Sequence, residues 1–180
     1  MQALNISYDF DFIGAIEFGK SQANEKKKVN EMNDEKKNMV AMEKIQEIGA
    51  LLLSGRNIVD IEWEALAFIV TISDEEGEEG GGRLGGFVYT QDTKFRPISP
   101  GQPRLIFPSL IELRKIMEKD TGLVWKQALF HLTKPGPRVK AAFEYEDANR
   151  WTPKSNDHDD VVRLASSIRP EGTVNLMPSS

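Results

Sequence analysis

The sequence predicts an α+β domain, an antiparallel sheet of two or more hairpins with helices packed on one face. Three observations carry that expectation. From Arg138 to Glu146 the chain alternates strictly, with Val139, Ala141, Phe143 and Tyr145 on one parity and Arg138, Lys140, Glu144 and Glu146 on the other. A period of two with one apolar side is the pattern of a strand half-buried on a core. Val124 to Thr133 carries apolar residues on both parities, as a more central strand does, and Lys134-Pro135-Gly136-Pro137 joins the two as a turn. Finally, two stretches with apolar residues every three or four positions each stand ahead of a hairpin, which places helices against an antiparallel sheet.

In chain order, residues 4–19 place Ile6, Tyr8, Phe10 and Phe12 on one parity and read as a strand. Residues 21–37 are almost wholly polar with Lys and Glu mixed, a solvated helix or a linker. Met39, Met42, Ile45, Ile48 and Leu52 then form a helical stripe that Gly55 ends, with Arg56 and Asn57 in the connection. Ile58 to Ile72 is the most apolar run and reads as a strand that begins amphipathic, with Asp60, Glu62 and Glu64 opposite Ile61, Trp63 and Ala65. A flexible loop at 74–82 crowds five carboxylates ahead of three glycines, and Leu84 to Thr90 returns as the partner strand.

Pro97, Pro100, Gly101 and Pro103 make 95–107 an irregular connection with a short strand at its end. A helix is expected after Pro108, with Ser109 and Glu112 as its capping box, Leu110, Leu113, Ile116 and Met117 as its buried stripe and Gly122 as its stop. After Trp151, Asn156 is positioned to cap a last helix whose first turn is acidic, and a tail runs from Pro170. The chain thus divides into 1–37, an N-terminal strand and polar segment; 38–153, the α+β domain; and 154–180, a C-terminal helix and tail.

Composition narrows the chemistry. A net charge of −5 speaks against a nucleic-acid ligand, because phosphate binding needs a basic surface, and it suits a basic partner protein. The absence of cysteine excludes disulfides, thiolate metal sites and a cysteine nucleophile. No apolar run has the length of a membrane span and no basic-then-apolar leader opens the chain, so the expected compartment is the cytoplasm and no membrane partner is expected.

Catalytic patterns are missing. His131 lies mid-strand and His158 in a helix's first turn, neither inside a G-x-S-x-G, P-loop or H-E-x-x-H spacing. Gly80-Gly81-Gly82 with Gly85-Gly86 leads into a strand, follows carboxylates that repel phosphate and lacks a suitably placed lysine, so it is not a phosphate loop. The acidic loop lacks the residue order of a calcium loop, and His158 with Asp159 and Asp160 reads as a capped helix start rather than a metal corner. No cofactor, metal or catalytic residue is therefore expected.

The helix Leu110–Met117 after an aromatic-proline turn, Trp125 opening a strand, a glycine-containing turn, the tract Phe143-Glu144-Tyr145-Glu146-Asp147 and Trp151 soon after it together resemble the YezG-like bacterial immunity (antitoxin) family. The resemblance spans about residues 39–151 and is one of pattern. The polar segment 21–37, the glycine-rich loop and the extension after Pro153 have no counterpart in it. It implies a cytoplasmic, non-enzymatic protein that binds and neutralises a cognate toxin, often a nuclease. A basic nuclease site would be met by carboxylates, and the candidates are Asp74, Glu75, Glu76, Glu78 and Glu79 on the loop, with Glu144, Glu146 and Asp147 on the hairpin as second choice. The alternative is a small-molecule-binding or enzymatic α+β domain with a pocket between sheet and helices, using His131 and nearby carboxylates.

Overall fold

A computed structural model describes residues 23–73, 81–91, 94–136, 138–155 and 157–171, with side chains from residue 38 onward. The strand expected within 4–19, the acidic stretch 74–80, the cap at Asn156 and most of the tail lie outside the described residues. Along the chain come α1 (Ala23–Leu53), α2 (Arg56–Val59), β1 (Ala65–Ile72), β2 (Gly82–Tyr89), β3 (Phe95–Ile98), α3 (Pro103–Thr121), β4 (Gln127–Thr133), β5 (Arg138–Glu144) and α4 (His158–Ser167). The strands form one antiparallel sheet in the order β3-β2-β1-β4-β5. The fold is α+β, with the two expected hairpins joined by the pairing of β1 with β4.

Both faces of the sheet are covered, and the parity of β1 shows how. Leu66, Phe68, Val70 and Ile72 point into the larger core, with Ile45, Ile48 and Leu52 of α1, Ile106, Leu110 and Leu113 of α3, and Phe130 and Phe143 of the second hairpin. Trp125, fully buried, leads into β4 from this core, its ring 5.6 Å from that of Phe143. Ala65 and Ala67 point the other way, into a smaller cluster with Phe87, Tyr89, Leu129, Trp151 and, from α4, Ala165 and Ile168. The Tyr89 hydroxyl donates to the Ala165 carbonyl at 2.7 Å and fixes α4 on that face.

Several boundaries differ from those the sequence suggested. Of the 21–37 stretch, residues 23–37 belong to a helix, since α1 starts at Ala23 and continues unbroken to Leu53; Lys and Glu are good helix formers. Within the expected stripe Ile45, Ile48 and Leu52 are buried, but Met39 is 61% exposed because it lies beyond the part of α1 that packs on the core. The strand expected from Ile58 begins only at Ala65. Asp60 and Glu62 have no place in a central strand covered on both faces, and Ile58 is buried instead from the short helix α2.

The short strand within 95–107 opens that stretch rather than closing it, and Pro97 is tolerated because β3 is an edge. Helix α3 begins at Pro103, where a missing N–H is harmless, and carries Pro108 inside it. The capping box at Ser109 and Glu112 therefore does not form. Ser109 Oγ donates instead to Glu47 Oε1 at 2.8 Å, and Glu112 pairs with Lys44 at 2.8 Å, so both residues tie α3 to α1. Two other signals hold: Gly122 ends α3 at φ 70° and Gly136 turns the hairpin at φ 69°.

Candidate interaction surface at one end of the sheet

The residues that organise this surface begin with Gln127, a fully buried amide at the start of β4. Its Nε2 donates to Thr71 Oγ1 at 2.9 Å and Thr152 Oγ1 at 3.0 Å, and its Oε1 accepts the Trp151 amide at 2.9 Å. Both donors and the acceptor of the side chain are used, which offsets the penalty of burying it. In this way β1, β4 and the segment after β5 are locked together. Trp151 pins the C-terminal segment to the sheet, as its position beyond the hairpin suggests.

Glu144 is the second organiser. It is 6% exposed; Oε1 accepts the amides of Glu146 at 2.8 Å and Asp147 at 3.2 Å, and Oε2 accepts Arg150 Nη1 at 2.6 Å. Burial pushes the carboxyl up, but the Glu146 amide, the Arg150 guanidinium and the Asp147 amide outweigh it and hold the group below the usual carboxylate range. Its charge is consumed inside the fold. Glu146 and Asp147 are exposed, the first anchored through its carbonyl to Lys126 Nζ at 2.8 Å and the second accepting the Asn149 amide at 2.8 Å.

Asp74, Glu75, Glu76, Glu78 and Glu79 lie outside the described residues, but the ends of their loop do not. Ser73 N donates to Gly81 O at 3.1 Å. Along the same edge Ile72 N donates to Lys126 O at 3.4 Å, and Lys126 N to Glu144 O at 2.7 Å. The end of β1 and the turn after β5 therefore lie at one end of the sheet, separated by β4 alone. The topology brings Ile72, which precedes the first acidic tract, and Glu144, in the second, to one end of the sheet, although they are about seventy residues apart in sequence. The glycines of β2 serve the sheet: a β-carbon on Gly86 would come 1.9 Å from Ala67 O.

Sequence reasoning passed over Gln127 and Arg150. The available signals were an amide at the mouth of an apolar strand and a lone cation three residues beyond an acidic tract.

The histidines stand apart from this end. His158 opens α4 and is exposed. His131 lies on the α4 side of β4, where burial lowers its pKa against the pull of the Ile168 carbonyl, and its cross-strand partner is Lys140. The space between the sheet and α1 and α3 is filled by the larger core. Open clefts remain at the margins of this core. One of about 350 Å³ runs between Val40, Ala41, Ile116 and Met117, and one of about 470 Å³ lies between the start of β2 and α3, lined by Gly81, Gly82, Pro103, Arg104, Phe107, Pro108 and Ile111. Among the described residues no helix is long and apolar enough to cross a membrane.

Comparison with protein-family models gives no match, and comparison with curated proteins gives none either.

Proposed function

We propose that this chain is a cytoplasmic, non-enzymatic immunity protein that binds and neutralises a cognate bacterial toxin domain, a nuclease in the first instance, through the carboxylates at one end of its sheet. The observation that carries the reading is that β1, which the acidic stretch follows in sequence, ends at the same end of the sheet as the exposed Glu146 and Asp147 after β5. A nuclease site is basic to receive phosphates, and clustered carboxylates both steer the encounter and gain from relief of their mutual repulsion. The family resemblance of residues 39–151 points the same way.

The test is co-expression with the C-terminal domain of the neighbouring gene's product, which this reading expects to be the toxin, followed by binding kinetics on the purified pair. Converting Asp74, Glu75, Glu76, Glu78 and Glu79 to their amides should slow association about tenfold at low salt and flatten its salt dependence, with the melting temperature unchanged. Adding Glu146→Gln and Asp147→Asn should slow it further. Glu144 is left intact in these variants because its carboxylate holds the turn. A quintuple variant that protects cells and associates at the parental rate in low salt would sink the proposal.

A further inference from the structure

The two edges of the sheet are built differently. β3 is four residues long and carries Pro97, which lacks a backbone donor, and both features discourage a further strand. β5 is seven residues long and contains neither proline nor glycine. Among the described residues it has β4 on one side and no strand on the other. Such an edge presents a row of backbone donors and acceptors over roughly 23 Å, a template for one more strand. The face of β5 that carries Val139, Ala141, Phe143 and Tyr145 is already packed on the larger core, so a partner would approach in the plane of the sheet.

The charges of β5 select that partner. Arg138 and Lys140 precede Ala142 at the same intervals at which Glu144 and Glu146 follow it. A second β5 laid antiparallel, with Ala142 opposite Ala142, sets Arg138 against Glu146 of the other copy and Lys140 against Glu144, twice over by symmetry. Parallel pairing in register would set each cation against itself, and like charges directly opposite are unfavourable. Basic side chains on an edge usually keep other strands away, but here the acidic end of the same strand answers them. The two pairs are unequal. Glu144 is spent on Arg150 and the turn amides, whereas Arg138 and Glu146 are both exposed, so the pair they form fixes the register.

We propose that the chain forms a two-fold dimer by antiparallel pairing of β5 with β5 of a second copy, giving one continuous sheet across the axis. A single strand pair buries little area, so the dimer is weak and forms as concentration rises. This goes beyond the proposed function and does not depend on it, although the two surfaces share Glu146.

Sedimentation velocity of the full chain over a concentration series at low salt tests the pairing. The parent should pass from monomer to dimer. Arg138→Glu and Glu146→Arg should each weaken dimerisation about tenfold or more, because each sets like charges together twice. An equimolar mixture of the two variants should recover association, since every such pair in the mixed dimer joins opposite charges. Both sites are exposed, so the variants should melt as the parent does. Single variants that dimerise like the parent, or a mixture no better than its components, would overturn the pairing. A parent that stays monomeric throughout would overturn it too, and would leave the edge of β5 to a strand from elsewhere in the chain or from another protein. None of these results bears on toxin binding, which the loop variants test separately.

Discussion

Gly49 of α1 lies directly against Val139 of β5, and a β-carbon on the glycine would come within 2.5 Å of Val139 Cγ2. Glycine inside a helix is unfavourable by about 1 kcal/mol relative to alanine, so something must offset it. Here it is the close approach of helix and strand. Gly49→Ala should gain that propensity yet lose more to overpacking, for a net destabilisation of about 1–2 kcal/mol in denaturant titration. Adding Val139→Ala should recover part of the loss. If the two substitutions simply add, the contact is not the reason for the glycine.

The glycines of β2 provide a sharper contrast. The backbone carbonyl of Ala67 would meet a β-carbon at Gly86, and a central strand cannot retreat from it, whereas the nearest atom to one at Gly85 is Ile98 O at 3.9 Å. Gly86→Ala should abolish soluble, folded protein or lower stability by more than about 3 kcal/mol. Gly85→Ala should melt within a few degrees of the parent. Equal melting temperatures for the two variants would refute the assignment.

Truncating Gln127 removes three hydrogen bonds and strands the buried Trp151 amide. Gln127→Ala should cost about 2–4 kcal/mol, more than the average single substitution. Protease should also cut first within 145–157, because the segment loses its anchor to the sheet. Cleavage at the same sites and rates as in the parent would show that Trp151 holds the segment without help.

Glu144 supplies a pH dependence whose sign follows from its environment. Its carboxyl is held below the usual range in the fold, so the unfolded chain binds the proton first as pH falls. The stabilisation is complete above the ordinary glutamate range and disappears as pH drops through the lowered folded value. Glu144→Gln should be about 2 kcal/mol less stable than the parent at pH 7, with the gap narrowed at an acidic pH below the ordinary glutamate range. Urea midpoints at the two pH values measure it, and a constant gap would mean that the ionised form plays no special part.

The strands were legible where one physical rule acted alone. Alternation located β5, and a proline-glycine turn located its hairpin. The αL glycine Gly122 located the end of α3. Legibility failed where tertiary contacts overrode local signals. Ser109 and Glu112 have the spacing of a capping box, but Glu47 and Lys44 on α1 offer them better partners across the helix pair. The run from Ile58 looks like one strand because it is so apolar, yet only Ala65–Ile72 pairs into the sheet, while Ile58 is buried from a helical turn and Val59 is exposed. The nearness of the strand ends at Ile72 and Glu144 was invisible for a different reason: strand order is not encoded within any short window. Only the β1–β4 pairing brings them to one end of the sheet, one strand apart.

That pairing has a consequence for how the chain reaches its fold. Phe68 lies opposite Phe130, sixty-two residues away, while both hairpins close over short connections. Local hairpins form in microseconds, but joining them means closing a long loop before its contacts reward it. The slow step should therefore be the meeting of two preformed halves. Truncating Val70 or Leu132, at the seam, should mainly slow refolding, whereas truncating Val88, within the first hairpin, should mainly speed unfolding. Chevron plots of the three alanine variants would separate the two behaviours, and equal effects on both limbs at every position would indicate one diffuse nucleus instead of a seam.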